Sequence, residues 1–285
     1  MSKAVLNRRK DKFFGYFGVF ATVLGLVLLA LFIFQIFSDG IGRLDWDFMK
    51  SLPSRKWEKA GILPAWTGTL WIFVLTALVV IPVGVGAGVY LEEYATKGRL
   101  SNLLEINISN LAGVPSIIYG IIGLQIFVRF MNLGGVLLAG AFTLSLLILP
   151  IIIVATREAI KAVPKSIKEA SYGLGATKWQ TIWNQVLPIA SANIITGVIL
   201  ALARAIGETA PLIVIGALAY VPFVAKTPMD EFTVLPMQIF NWVSRPQHGF
   251  LLNAAAAILI LLLFVFILNG IAVYLRNRSR KKFGM

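Results

Sequence analysis

The sequence predicts an all-α, polytopic membrane protein with six transmembrane helices. Three observations carry that fold class. The 285 residues are 58% hydrophobic with a mean hydropathy of +0.82, well beyond a soluble domain. Several uncharged stretches are long enough to cross a hydrocarbon core of ~30 Å at ~1.5 Å per residue. The basic residues bracket those stretches, so the net charge of +13 reads as membrane topology and not as a nucleic-acid surface. The chain has no cysteine, which excludes disulfides and thiolate metal sites. A single histidine, His248, leaves little for zinc chemistry or Ser–His catalysis.

A basic segment (Arg8, Arg9, Lys10, Lys12) precedes Phe13–Phe37, 25 residues without a charge. That stretch is too long for a signal-peptide core and lacks a small-residue cleavage pattern, so it is expected to stay as the first helix. Residues 38–66 read as a polar loop with Trp46, Trp57 and Trp66, a candidate seat for a docking protein. Further spans are expected at about 68–91, 111–128, 134–155, 190–219 and 251–275. Pro82 with Gly84, Gly86 and Gly88 is expected to loosen the second span, and Pro150 to kink the fourth. Ala112–Ser116 (AGVPS) is expected to interrupt the third at membrane depth, where irregular backbone is tolerated if it lines a cavity or is buried in protein. Six passes put both termini on one side. With the termini inside, the inner segments hold 17 Lys and Arg and the outer segments 8, which favours that orientation.

Residues 164–188 follow the fourth span. Ile167, Ala170, Ser171 and Leu174 share one helical face, and Trp179, Ile182, Trp183 and Val186 repeat the spacing after Gly173–Gly175. Ser166-x-x-Glu169 and Thr177-x-x-Gln180 each fit a capping box, and Pro188 is placed to start the next helix. Two short amphipathic helices around a glycine turn are therefore expected on the inner side.

The fifth span carries two charges, Arg204 and Glu208, where each costs at least ~2.5 kcal/mol at mid-membrane. A mutual ion pair that only holds a bundle would explain them, although Arg before Glu is the weaker order at four-residue spacing. The functional reading is that Arg204 faces a water-accessible pathway and binds an anion through its planar fork of donors, with Glu208 orienting it. Gly197, Ala201 and Ala205, and likewise Ala203, Gly207 and Pro211, recur every four residues and suit close helix contacts in lipid.

Glu169-Ala170-Ser171, Gly175 and Leu187-Pro188 resemble the EAA loop of ABC importer permeases, with Ser171 and Gln185 departing from the usual residues. Gly61-Ile-Leu-Pro-Ala, Tyr90-Leu-Glu-Glu-Tyr-Ala, Ala112-Gly-Val-Pro-Ser-Ile-Ile-Tyr-Gly and Ala203-Arg-Ala-Ile-Gly-Glu-Thr-Ala-Pro-Leu resemble the permeases of the high-affinity phosphate ABC importer, the A-type subunit more than the C-type. The resemblance covers about residues 61–275. It implies the MetI-like ABC permease fold and phosphate import into the cytoplasm across a bacterial inner membrane. It also implies a heterodimer with a C-type permease, two ATPase subunits that bind ATP-Mg, and a periplasmic phosphate-binding protein. Glu169, Ala170, Ser171 and Gly175 would meet the ATPase. Arg204, Gly207, Glu208 and Thr209 would serve the substrate pathway. No cofactor is expected in this chain, and no P-loop occurs in it. Residues 1–66 would form an N-terminal tail, helix and outer loop, 67–275 the permease core with its coupling loop at about 162–188, and 276–285 a basic tail. A permease for sulfate or molybdate would share the EAA loop. An ATP-independent anion channel or carrier, or an intramembrane enzyme, would not need it.

Overall fold

The computed structural model describes residues 3–96, 98–217 and 220–282; parts of the expected fifth span (218–219) and basic tail (283–285) lie outside them. The described residues contain no strand, only an isolated bridge between Val136 and Glu231. Five helical runs are long and apolar enough to cross a membrane: 13–43, 63–94, 137–161, 178–207 and 248–278. A sixth is a bent pair, 101–111 with 116–130, whose halves meet at 104°.

The first helix, α1 (Lys3–Gly40), is unbroken, as a charge-free stretch should be. Gly40 packs against the backbone of Ala255 and Ala256, so no side chain fits there. α2 (Trp46–Lys50) is capped by Asp45, whose side chain accepts from the Phe48 amide. The region expected to be a polar loop is a packed cap. Phe48, Ala60 and Ile62 are fully buried with Leu235, Trp242 and Phe250. Arg43 ties the cap down, donating to Asn253 Oδ1, to Asp45 and to the carbonyls of Trp57, Glu58 and Ala60. Trp57 lies on Gly249, and Trp66 Nε1 donates to the Met49 carbonyl. Trp46 alone of the three tryptophans is exposed, under Lys50.

α3 (Leu63–Val89) continues through a π-helical turn, Tyr90–Tyr94. It runs parallel to α6 (Leu137–Lys161) in strict register: Ile72 meets Gly140, Gly84 meets Ile152 and Gly88 meets Thr156. Gly84 and Gly88 therefore form a seam and not a loosened helix, while Gly86 faces open space. In lipid there is no hydrophobic gain from pairing apolar faces, so close approach at small residues must supply the contact. Both helices continue unbroken through Pro82 and Pro150.

α4 (Arg99–Leu111) is amphipathic and mostly exposed. The chain turns at Ala112–Pro115 into α5 (Ser116–Gly123), which continues as π helix to Phe130. Gly123 packs on Thr143 of the antiparallel α6. Seven residues, or about 10 Å, separate Gly123 from Ser116, which puts the turn level with Pro150 inside the span.

α7 (Lys165–Gly173) and α8 (Lys178–Thr181) follow, and α8 passes through a π turn into α9 (Leu187–Gly207). Pro188 sits where that register change ends and the helix does not break, because the wider π turn accommodates the missing donor. Gly197 packs on Ala155, with Ala201 and Ala205 buried, as their spacing predicted. The expected span to 219 is too long. α9 ends at Gly207, Glu208 is extended (φ −78°, ψ 123°), and a short α10 (Ala210–Val214) begins afresh with Pro211 in its first turn. The second small-residue row, Ala203-Gly207-Pro211, therefore does not continue on one helix. Pro211 instead meets Gly120 of α5. α11 (Leu235–Val243) lies under the cap, and α12 (His248–Lys282) completes the bundle.

Candidate functional site

Two sites emerge at different depths. The first is the hairpin of α7 and α8. Its turn is set by Gly175 at φ +83°, a left-handed conformation that glycine adopts without steric cost. Thr177 forms the expected capping box with Gln180. The Ser166 box does not form: Pro164, with its fixed φ, is the residue before the first turn, so Ser166 already lies inside the helix. Ser171, a departure from the family pattern, shares a 2.9 Å hydrogen bond with Thr181 and so staples the two hairpin helices together.

The expected faces are only partly right. Leu174 is 90% exposed at the hairpin tip. Ile182 and Val186 are buried, whereas Trp179 and Trp183 stack on each other outside (centroids 5.4 Å apart). The π turn rotates the two pairs apart and breaks the single face that a 3.6-residue period assumes. Glu169, Ala170 and Gly175 are exposed and Ser171 is partly covered. An open cleft of about 470 Å³ runs along the hairpin, lined by Ile167, Ala170, Ser171, Leu174 and Gln185 among others.

Sequence reasoning missed what holds this hairpin. The π turn Tyr90–Tyr94 grips both of its helices: Glu93, only 8% exposed, pairs with Lys168 of α7, and Lys178 of α8 sits over the Tyr94 ring at 4.9 Å. Glu92 Oε2 lies 3.6 Å from Arg157 Nε, an ion pair too long for a hydrogen bond, so that Nε is buried without one. Arg157 also reaches Glu105 of α4 at 3.1 Å. Two elements, α6 and α7, thus pair directly with the adjacent carboxylates, while α8 meets the Tyr94 ring and α4 joins through Arg157. The doubled acid at the end of an apolar span was the available signal.

The second site is the C-terminal end of α9. Arg204 Nε is 3.4 Å from Glu208 Oε1, long for a charge-assisted hydrogen bond. Glu208 is not a helical residue, because the chain has left the helix at Gly207; the pair bridges a helix end. The Arg204 side chain is 52% exposed, and its two terminal nitrogens have no hydrogen-bond partner among the described residues. Asn193, Leu200, Arg204 and Gly207 form the exposed strip of α9, turned away from its buried residues Val198, Ala201, Leu202 and Ala205. Arg204 lies seven residues beyond Gly197, about 10 Å further from the hairpin. Thr209 precedes α10 without a side-chain capping bond and is partly exposed. The structure thus brings Arg204, Gly207, Glu208 and Thr209 to one place, separate from Glu169–Gly175.

The model of the binding-protein-dependent transport system inner membrane components matches residues 81–281, which includes both sites. The chain belongs to that family. These transport components have curated relatives over most of this chain's length. A probable ABC transporter permease protein, YqgI, of Bacillus subtilis is 32% identical over 88% of this chain and 90% of its own. The phosphate transport system permease protein PstA of Haemophilus influenzae is 34% identical over 87% of each. PstA 1 of Mycobacterium tuberculosis is 34% identical over 76% of this chain and 70% of its own. Among solved structures, a bacterial ABC transporter importing the acidic polysaccharide alginate superposes with a TM-score of 0.68 (14% identity, 97% of this chain, 99% of that one). The same transporter bound to its pentasaccharide-loaded periplasmic protein gives 0.69 (15%, 95% and 96%). The inward-facing MetNI methionine transporter gives 0.61 (17%, 74% and 93%). These share the inner-membrane component's fold; at such identities they show nothing more.

Proposed function

We propose that this inner-membrane component is a permease subunit of an ATP-driven importer of inorganic phosphate. The observation that carries the reading is Arg204, held loosely by one carboxylate on the exposed strip of α9, with free donors in the last turn of an apolar helix. A guanidinium placed so suits an oxyanion, since its fork matches two oxygens at once. Relatives named as phosphate transport permeases support the choice of anion. Glu208 orients Arg204 and weakens its hold, so that the anion is passed on. Gly207 keeps the strip open beside it, and Thr209 offers a hydroxyl.

The exposed strip faces a second, C-type permease, and two ATPase subunits holding ATP-Mg seat on Glu169, Ala170, Ser171 and Gly175. A periplasmic phosphate-binding protein docks on the opposite, capped face. Both termini lie in the cytoplasm, residues 67–275 being the permease core between the 1–66 segment and the basic tail 276–285. Work enters at the hairpin and reaches α3, α4 and α6 through Glu93–Lys168 and Glu92–Arg157–Glu105. Energy input is needed. Phosphate carries up to two negative charges, each costing ~2.3 kcal/mol per 100 mV to bring inward. A hundredfold accumulation adds ~2.8 kcal/mol, so the total approaches ~7 kcal/mol.

The test is uptake of radiolabelled phosphate into proteoliposomes of the whole complex, with ATP inside and binding protein outside. Uptake that needs ATP, survives excess sulfate and is lost in an assembled Arg204→Gln complex is expected. Block by sulfate would reassign the substrate to another oxyanion, and full uptake without ATP would refute the coupling.

A further inference from the structure

Another arginine, Arg276, lines a cavity between α9 and α12. The cavity, about 250 Å³, is lined by Thr196, Ile199 and Leu200 of α9 and by Asn269, Val273 and Arg276 of α12. It would hold roughly eight waters at ~30 Å³ each, ample for one phosphate group. Arg276 Nε is buried without a hydrogen-bond partner, and neither Arg276 nor Asn269 makes a side-chain bond or ion pair among the described residues. A guanidinium that lines a cavity with no carboxylate paired to it among the described residues suits an anionic ligand, which its terminal nitrogens would meet. Asn269 and Arg276 are seven apart on one helix, hence on one face, and Thr196, whose hydroxyl donates to the Ala192 carbonyl of its own helix, lines the α9 wall. Thr196 adjoins Gly197, which packs on Ala155, two residues before Arg157 of the hairpin clamp. The cavity therefore lies toward the hairpin side of the membrane. Thr196 lies one turn before Leu200 of the exposed α9 strip, and Arg204 follows about 12 Å beyond Thr196.

We propose that Arg276 and Asn269, with Thr196 in the facing wall, form a binding site for a phosphate group. The walls fit two sources of that group. Free phosphate arriving along the α9 strip would meet a second cation before leaving; this source rests on the phosphate-permease reading. The headgroup of an anionic phospholipid would bind Arg276 with its chains along Leu200 and Val273, as basic pockets between helices near the inner surface do; this source does not rest on it.

The chain's lack of cysteine makes the site directly readable. A Val273→Cys variant is assembled into the detergent-solubilised complex, and maleimide labelling of this subunit is timed. The probes are inorganic phosphate against chloride, and phosphatidylglycerol against phosphatidylcholine. At about ten times the half-protecting concentration, labelling slows about tenfold by mass action. Slowing by inorganic phosphate identifies the free anion, and slowing by phosphatidylglycerol alone identifies the lipid. Either must vanish with Arg276→Gln and persist with Arg278→Gln, which carries the same charge change outside the cavity. Should the arginine variant fail to assemble, Asn269→Leu serves, with protection expected to weaken. The proposal is overturned if no probe slows labelling, if slowing survives Arg276→Gln, if Arg278→Gln abolishes it equally, or if the cysteine is unreactive in the complex. Failure of phosphate uptake alone would leave protection by the lipid intact, so the two readings fail separately.

Discussion

Replacing Lys168 with Met keeps most of the side chain's apolar stem but removes the charge that pairs with Glu93. Glu93 is 8% exposed and Lys168 is 21% exposed, so the pair lies between surface and core. Exposed pairs contribute ~0–1 kcal/mol, while breaking a buried pair costs ~3–5 kcal/mol. About 2 kcal/mol is the reasonable middle, a shift of roughly 30-fold in the balance between gripped and released hairpin. Such a complex is expected to assemble and to hydrolyse ATP, yet to import less phosphate per ATP. The assay measures uptake and hydrolysis in the same proteoliposomes, with assembly checked by size exclusion. Glu93→Lys with Lys168→Glu should recover much of the ratio, because the swap restores attraction with charges reversed; a double-mutant cycle gives the coupling. An unchanged uptake-to-ATP ratio in Lys168→Met, or a swap no better than either single variant, would refute the view that force passes through this pair.

Two further outcomes test other parts of the structure. Gly123→Ala places a methyl 2.2 Å from Thr143 Oγ1, and overpacking of that kind costs ~1–3 kcal/mol, seen as a lower Tm that Thr143→Ala should restore only in part, since the residue-143 Cβ still lies 2.9 Å away. Asp230 accepts from the amides of Lys226 and Thr227 and from the Thr227 hydroxyl, which hold its carboxyl below the ordinary value of 3.8. Because the folded value is the lower one, the turn's contribution is full above 3.8 and is lost only as pH falls through the folded value. Hydrogen-exchange protection of those two amides, corrected for intrinsic rate, should hold at neutral pH and collapse only in stronger acid. Asp230→Ala should lose it at every pH.

Much of the candidate machinery was legible because its determinants are local. Gly175, Thr177 and Gln180 specify a turn and a cap within a few residues, and the structure forms both. The Ser166 box failed because a proline two residues earlier fixes the helix start more strongly than a hydroxyl can. Arg204 and Glu208 stood out by the cost of charge in an apolar run. Their spacing alone could not show that the helix ends between them, since residues 209–217 are nearly as apolar as a helix interior. The clamp around Arg157 went unseen because Glu92, Glu105 and Lys168 are far apart in sequence.

The sequence by itself determined the number of apolar runs, the chemistry of the hairpin and the presence of an arginine within an apolar run. Those follow from hydropathy, backbone preference and the cost of charge, each a property of short segments. Only the tertiary structure decided which faces pack. A membrane helix is apolar on every side, so the periodicity that reveals a buried face in water is absent. The parallel seam of α3 and α6, the burial of Ile182 beside exposed Trp183, and the cavity at Arg276 depend instead on where small residues let two backbones approach. That choice is made between helices, by contacts no single segment encodes.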